Sequence, residues 1–170
     1  MAHAKLSPSS ASRWMTCPGS VAMSEGIADK SSSHADEGTA AHEMAERILL
    51  GELGPDLIGL KAENGVAFTA AMLEGVMVYV DMVRDLVKST GGTLYVEQKL
   101  SIEHLTGEPG AKGTSDCVID AGDELIVGDL KFGMGVRVDA DDNEQLMIYA
   151  LAALEKFSKA NVAAEVEDLL

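Results

Sequence analysis

Residues 113–131 read Gly-Thr-Ser-Asp-Cys-Val-Ile-Asp, then Ala-Gly-Asp-Glu, then Leu-Ile-Val-Gly-Asp-Leu-Lys. Two strand-like runs flank a short turn, and each carries one acidic residue among apolar ones, Asp116 in the first and Asp129 in the second. Strand side chains alternate between faces, so Asp129 and Lys131, two positions apart, are expected to point the same way. A carboxylate set in Leu-Ile-Val-Gly-Asp is costly unless it is paired or metal-bound. Gly128 beside it leaves room for close approach of a backbone or ligand. Two carboxylates and a lysine at the open side of a small sheet are the minimum set for metal-assisted phosphodiester hydrolysis. In that chemistry the carboxylates hold Mg²⁺ or Mn²⁺, the metal activates water, and the lysine steers or polarises the nucleophile.

Outward from this hairpin, residues 93–102 alternate like a strand, with Tyr95, Glu97 and Lys99 on one face and Leu94, Val96, Gln98 and Leu100 on the other. Glu97 is therefore a further acid for the same sheet, or an exposed neighbour of Lys99. Residues 107–110 form a turn. A helix is predicted over 66–88, stopped by Gly91-Gly92, and another over 39–50, stopped by Gly51. Ser7-Pro8 predicts a short N-terminal helix that breaks at Cys17-Pro18-Gly19. The polar stretch 26–38 and the segment 51–64 read as loops. A last helix over 141–157 is expected to turn Leu146, Met147, Ala150, Leu151 and Leu154 to the core. Helices, three strands in sequence and a helix make an α/β or α+β domain built on a meander.

The chain has 170 residues, enough for one domain with a real core, and 46% hydrophobic content excludes a disordered chain. With aromatics at only 4%, that core rests on Leu, Val, Ile, Met and Ala. No apolar run approaches the ~18 residues of a membrane span, and the N-terminus lacks the apolar stretch of a signal peptide. Cys17 and Cys117 stand far apart with no C-x-x-C, which indicates neither a disulfide framework nor a zinc ribbon. A cytoplasmic protein is the expectation. The formal charge of −15 opposes nucleic-acid binding, which is driven by basic surface. Weak DNA affinity by this chain alone, or a basic protein partner, is the consequence.

His42 lies on the 39–50 helix with Glu46 one turn later; the run His-Glu-Met-Ala-Glu lacks the second histidine of a zinc-protease helix. Gln145 and Tyr149 are likewise one turn apart on the last helix. The acidic run 139–144 lacks the glycine and terminal glutamate of a calcium loop, and Gly133-Met134-Gly135 is followed by Val138 where a dinucleotide fingerprint needs glycine.

Taken together, these segments resemble the RecB-like and Cas-type exonuclease branch of the PD-(D/E)XK nucleases. The residues carrying the resemblance are Leu-Ser-Pro-Ser-Ser-Ala-Ser-Arg-Trp-Met-Thr-Cys-Pro at 6–18, Gly-Thr-Ala-Ala-His at 38–42, Gly-Thr-Ser-Asp at 113–116, Asp-Leu-Lys at 129–131 and Gln-Leu-Met-Ile-Tyr at 145–149. Within that superfamily the chain looks most like a phage and prophage group catalogued as a domain of unknown function.

The resemblance implies a restriction-endonuclease-like core: a small central mixed sheet of three or four strands flanked by helices. It implies a single domain over 1–170, helical over 1–90 and with the catalytic sheet and helix over 91–160. His42, Asp116 and Asp129 would be ligands of Mg²⁺ or Mn²⁺, Lys131 the catalytic lysine, and Gln145 and Tyr149 DNA-facing or site-ordering. Related proteins with an iron–sulfur cluster use three late cysteines, and none follows Cys117, so no cluster is expected. The residues after Tyr149 do not supply the family's following strand and extension, which reads as a truncated form. The function implied is a metal-dependent DNA exonuclease of phage or prophage DNA processing, acting in the bacterial host cytoplasm. The alternatives are a catalytically weak nuclease-fold module that binds a protein partner, and an acidic DNA mimic.

Overall fold

A computed structural model of the chain describes residues 4–27, 32–133 and 138–167, with side chains as far as residue 158. In order, a 3₁₀ turn Pro8–Ser10 precedes α1 Ala11–Thr16, α2 Gly19–Met23, α3 Ser33–Leu49, α4 Gly54–Leu57 and α5 Ala70–Thr90. Then come β1 Thr93–Ser101, α6 Glu103–Thr106, β2 Lys112–Asp120, β3 Leu125–Gly128 and α7 Glu144–Glu167. The class is mixed α+β. Among the described residues the sheet has three strands in the order β1-β2-β3, and both ladders are antiparallel. The expectation of a mixed sheet is therefore corrected: the connections between these strands are too short for the crossover that parallel pairing needs.

Long helices begin and end where local chemistry satisfies their free backbone groups. The Thr69 side chain accepts from the Met72 N–H at the start of α5, and Gly91 closes it in the left-handed conformation at φ 68°. The start of α3 differs from expectation. Ser32 caps it by accepting from the Ala35 N–H, so the helix opens at Ser33 rather than near Thr39. The polar residues expected to form a loop up to 38 instead make the first turns of a solvated helix. Residues 28–31 of that stretch, like Met134 and Gly135, lie outside the described residues. A short helix, α4, with proline in its first turn, replaces part of the loop expected over 51–64, and α6 falls between the expected strand and the expected turn.

The sheet separates two cores. One face meets α3 and α5 through Ala41, Met44, Ile48, Met72, Val76, Val80, Cys117 and Ile119. The other meets α7 through Leu100, Ile102, Val118, Ile148, Tyr149, Ala152, Ala153 and Phe157. The buried face of α7 is not the expected one, because Met147, Leu151 and Leu154 are exposed. Apolar residues occur on both sides of this helix, and the side that packs is the one where Ala152 and Ala153 allow close approach to the sheet. No helix of the described residues is long and apolar enough to cross a membrane.

Candidate functional site

The site depends on a break in strand alternation. Along β1, Tyr95 and Leu100 both face the α7 core although they are an odd number of residues apart. On β2, Val118 lies in that core, and a Cβ on Gly113 would meet Tyr149 and Pro8 on the same side. The reset falls at Glu97, whose φ is 50°, the left-handed region that a glutamate rarely adopts. Pairing is interrupted there: Val96 pairs with Cys117 and Gln98 with Ser115, while Glu97 and Asp116 stand between them unpaired. As a result Val96, Glu97 and Asp116 line one cavity on the α3 side, together with His42, Glu46, Tyr79 and Leu130. The expected placing of Glu97 and Val96 on opposite faces is thereby corrected. A strained non-glycine residue is costly by about 1–3 kcal/mol, and here it brings a second carboxylate to the face that carries Asp116.

Helix α3 supplies the histidine. Ala41, Met44, Ala45 and Ile48 bury its inner stripe, which leaves His42 at the edge of that stripe, over the sheet. His42 Nδ1 lies 3.1 Å from Asp116 Oδ1. The other Asp116 oxygen accepts the Leu130 backbone N–H at 2.5 Å. That bond draws the chain out of the ladder, so β3 ends at Gly128 and Asp129 and Lys131 lie just past the strand rather than within it. They still converge. The Asp129 side chain is 6% exposed, and its Oδ2 lies 2.5 Å from the Lys131 ammonium. Gln145 on α7 completes a ring, donating to Asp129 Oδ1 at 2.7 Å and accepting from Lys131 Nζ at 2.8 Å.

Two glycines make this packing feasible. A Cβ on Gly128 would stand 2.6 Å from Cys117 Sγ, so the room expected there for a ligand is filled by Cys117, with Tyr79 behind it. A Cβ on Gly113 would stand 2.8 Å from both the Tyr149 ring and Pro8. The N-terminal Ser-Pro segment, the Gly-Thr-Ser-Asp strand and the Gln145–Tyr149 turn of α7 therefore meet at one point. Tyr149 is buried at 4% exposure, which suits ordering of the site and not contact with a nucleic acid.

Three of the site's groups show the strain of crowded negative charge. Burial, with the Asp116 and Glu46 carboxylates, pushes the Glu97 carboxyl up to about 7. Burial also raises Asp129, with Asp116 adding to the rise and Lys131 opposing it. Burial alone would lower His42, but the hydrogen bond and charge of Asp116, helped by Asp129 and Glu97, leave it above the usual histidine range. Burial raises the Tyr149 phenol to about 12. Glu46 is a participant that sequence reasoning passed over. It lines the cavity and repels Glu97, and its one signal was the one-turn spacing from His42. Adjoining this cavity, and sharing His42, Glu46 and Glu97 with it, an open cleft of ≈ 520 Å³ is further bordered by Glu43, Glu63, Thr39 and Arg47.

The donors here, carboxylate oxygens and one imidazole nitrogen, suit Mg²⁺ or Mn²⁺. As the side chains stand, no three of the described His, Cys, Asp and Glu residues are grouped to hold a metal. Asp116 is committed to His42 and to the Leu130 amide, and Asp129 to Gln145 and Lys131. The fit to a cation rests on a different observation. Among the described residues the buried Asp129 Oδ2 accepts no hydrogen bond, its contact being the Lys131 ion pair.

A protein-family comparison matches residues 3–167, nearly the whole chain, to the family described as "Protein of unknown function (DUF2800)". The chain belongs to that family. No solved structure matches it. The family match spans all the segments that build the cluster: the Ser-Pro turn, α3, the β2–β3 hairpin and α7. For a DUF2800 protein, whose family carries no assigned activity, the chemistry of the site must be argued from its own side chains.

Proposed function

We propose that this DUF2800 chain is a metal-dependent DNA nuclease of the PD-(D/E)XK type, an exonuclease of the RecB-like branch serving phage or prophage DNA processing. One observation carries the reading: His42 with Asp116, and Asp129 with Lys131 and Gln145, form two hydrogen-bonded groups from α3, β2, the end of the hairpin and α7, and the Leu130 backbone N–H, between Asp129 and Lys131 in the chain, donates to Asp116 and ties them together. These are the residues that the motif order singles out. A structural ion-pair network is the plainer explanation of such a cluster, but it does not explain a left-handed glutamate that adds charge to it.

In this reading His42, Asp116 and Asp129 would hold Mg²⁺ or Mn²⁺, which when bound supplies Lewis-acid activation of water and charge neutralisation at the phosphate. Lys131 is the compact cation that offsets charge developing on the phosphate, an effect realised mainly in the transition state. Gln145 fixes Lys131 and Asp129 relative to one another. Tyr149 anchors the α7 turn that carries Gln145 against Gly113. His42, held by Asp116, is oriented over the sheet by its hydrogen bond.

The −15 charge and the acidic cleft favour a second reading, a catalytically weak module that docks on a basic protein. Linear and circular DNA incubated with Mg²⁺ or Mn²⁺ separate the two. The nuclease reading expects wild type to degrade linear DNA and Asp129→Ala to leave it intact. Intact DNA under every metal, from a chain that folds, supports the second reading.

A further inference from the structure

The register of β1 and β2 places two lysines where the sequence separates them. Beyond Glu97 and Asp116 the ladder is regular: Lys99 pairs with Thr114 and Ser101 with Lys112. Leu100 is buried against α7, and its partner Gly113 abuts Tyr149. Lys99, Ser101, Lys112 and Thr114 therefore all lie on the opposite face, the one that carries Asp116. Lys99, Ser101 and Lys112 are exposed and Thr114 is half-exposed, and β3 does not reach this end of β2. No carboxylate lies within ion-pair distance of either lysine among the described residues.

Lysine on an edge strand such as β1 has an ordinary explanation, since it discourages pairing with another chain. β3 pairs only with Cys117–Asp120, so the same holds for Lys112; what an edge does not explain is that two lysines and two hydroxyls share one uncovered face that leads to Asp116. Along β2, Thr114 and Lys112 stand roughly 7 and 13 Å from Asp116. In a chain of net charge −15, an unpaired basic and hydroxyl strip beginning at the carboxylate cluster is where an anionic polymer meets least repulsion.

Resting on the nuclease reading of the cluster, we infer that Lys99, Lys112, Ser101 and Thr114 form the track for the phosphate backbone of the strand entering the site. The contacts are ammonium and hydroxyl donors to phosphate oxygens. Tyr79, Tyr95 and Tyr149 are at least half-buried, so this track offers no ring for bases to stack on, and recognition there is independent of sequence and sensitive to salt.

The test measures binding of fluorescent oligo-dT by anisotropy over a range of salt concentrations, using wild type and Lys99→Gln/Lys112→Gln in a Lys131→Ala background that suppresses cleavage. Two lost phosphate contacts should reduce the slope of log Kd against log salt by about 1.5–2. Gln at Lys61 and Lys88, which lie before α5 and on its last turn, should leave the slope unchanged. In cleavage-competent protein the Lys99/Lys112 change should raise KM for DNA with little effect on kcat. An unchanged slope and KM, or no binding of oligo-dT by the parent, overturns the track. A parent that binds with the expected slope but never cleaves refutes the nuclease reading and leaves the track standing.

Discussion

Replacing Glu97 with glutamine removes one charge from the cluster while keeping side-chain size and the same left-handed backbone demand. The folded carboxyl titrates at about 7 against 4.5 unfolded, chiefly because of burial, with repulsion from Asp116 and Glu46 adding to it. A pKa raised by folding means that the stabilising contribution is complete below about 4.5 and is lost as pH rises through about 7. The full shift is equivalent to ~3 kcal/mol, and allowing for the half-exposed position of Glu97 reduces that to about 1–2 kcal/mol. In EDTA, Glu97→Gln should match wild type near pH 4.5 and exceed it at pH 8 by roughly 2–8 °C in Tm, given about 2–4 °C per kcal/mol for a chain of this size. His42, also raised and in small part by Glu97, makes wild type lose stability in the same direction above the usual histidine range, so the mutant-minus-wild-type difference reads Glu97's own titration together with its smaller share in the rise of His42. Calorimetry or circular dichroism melts at a series of pH values provide the assay. A difference independent of pH, or one that shrinks from pH 4.5 to 8, refutes the claim that Glu97 is held against its charge.

Metal linkage should show the same crowding: Mn²⁺ or Mg²⁺ raises the Tm of wild type by mass action, and Asp129→Ala abolishes most of that rise. An equal rise in both proteins indicates diffuse surface binding. Gly128→Ala places a methyl group 2.6 Å from Cys117 Sγ, which should cost about 1–3 kcal/mol in denaturant unfolding. Adding Cys117→Ala should recover part of it, and a neutral Gly128→Ala contradicts the packing argument.

The strands and the end of α5 were legible because alternating residues and the Gly91-Gly92 stop leave few other conformations. The start of α3 was not, since serines were read as loop formers and Ser32 acts as a cap. On α7, apolar residues on both faces left the choice of buried side to packing against β2. The gathering of Asp116, Asp129, Lys131 and His42 in one region was legible from the motif order, but Leu-Tyr-Val-Glu-Gln-Lys-Leu alternates normally in sequence. Nothing in it announces a left-handed Glu97, so the break in alternation that gathers the carboxylates emerged only from the backbone. The lysine strip was hidden for a similar reason: the pairing of β1 with β2, not proximity in sequence, makes Lys99 and Lys112 neighbours.

The central claim, that this cluster performs metal-dependent hydrolysis, is tested most directly by single-turnover cleavage of linear DNA by wild type and Lys131→Ala, with metal-induced Tm shifts measured on the same samples. Lys131 pairs with Asp129 and Gln145 yet is no metal donor. The account therefore predicts cleavage reduced by about 10²-fold or more in Lys131→Ala, with the metal-induced rise in Tm undiminished. Lys131→Arg should recover little, because a broad guanidinium does not replace a compact ammonium. Cleavage that continues at the wild-type rate in a folded Lys131→Ala contradicts the account.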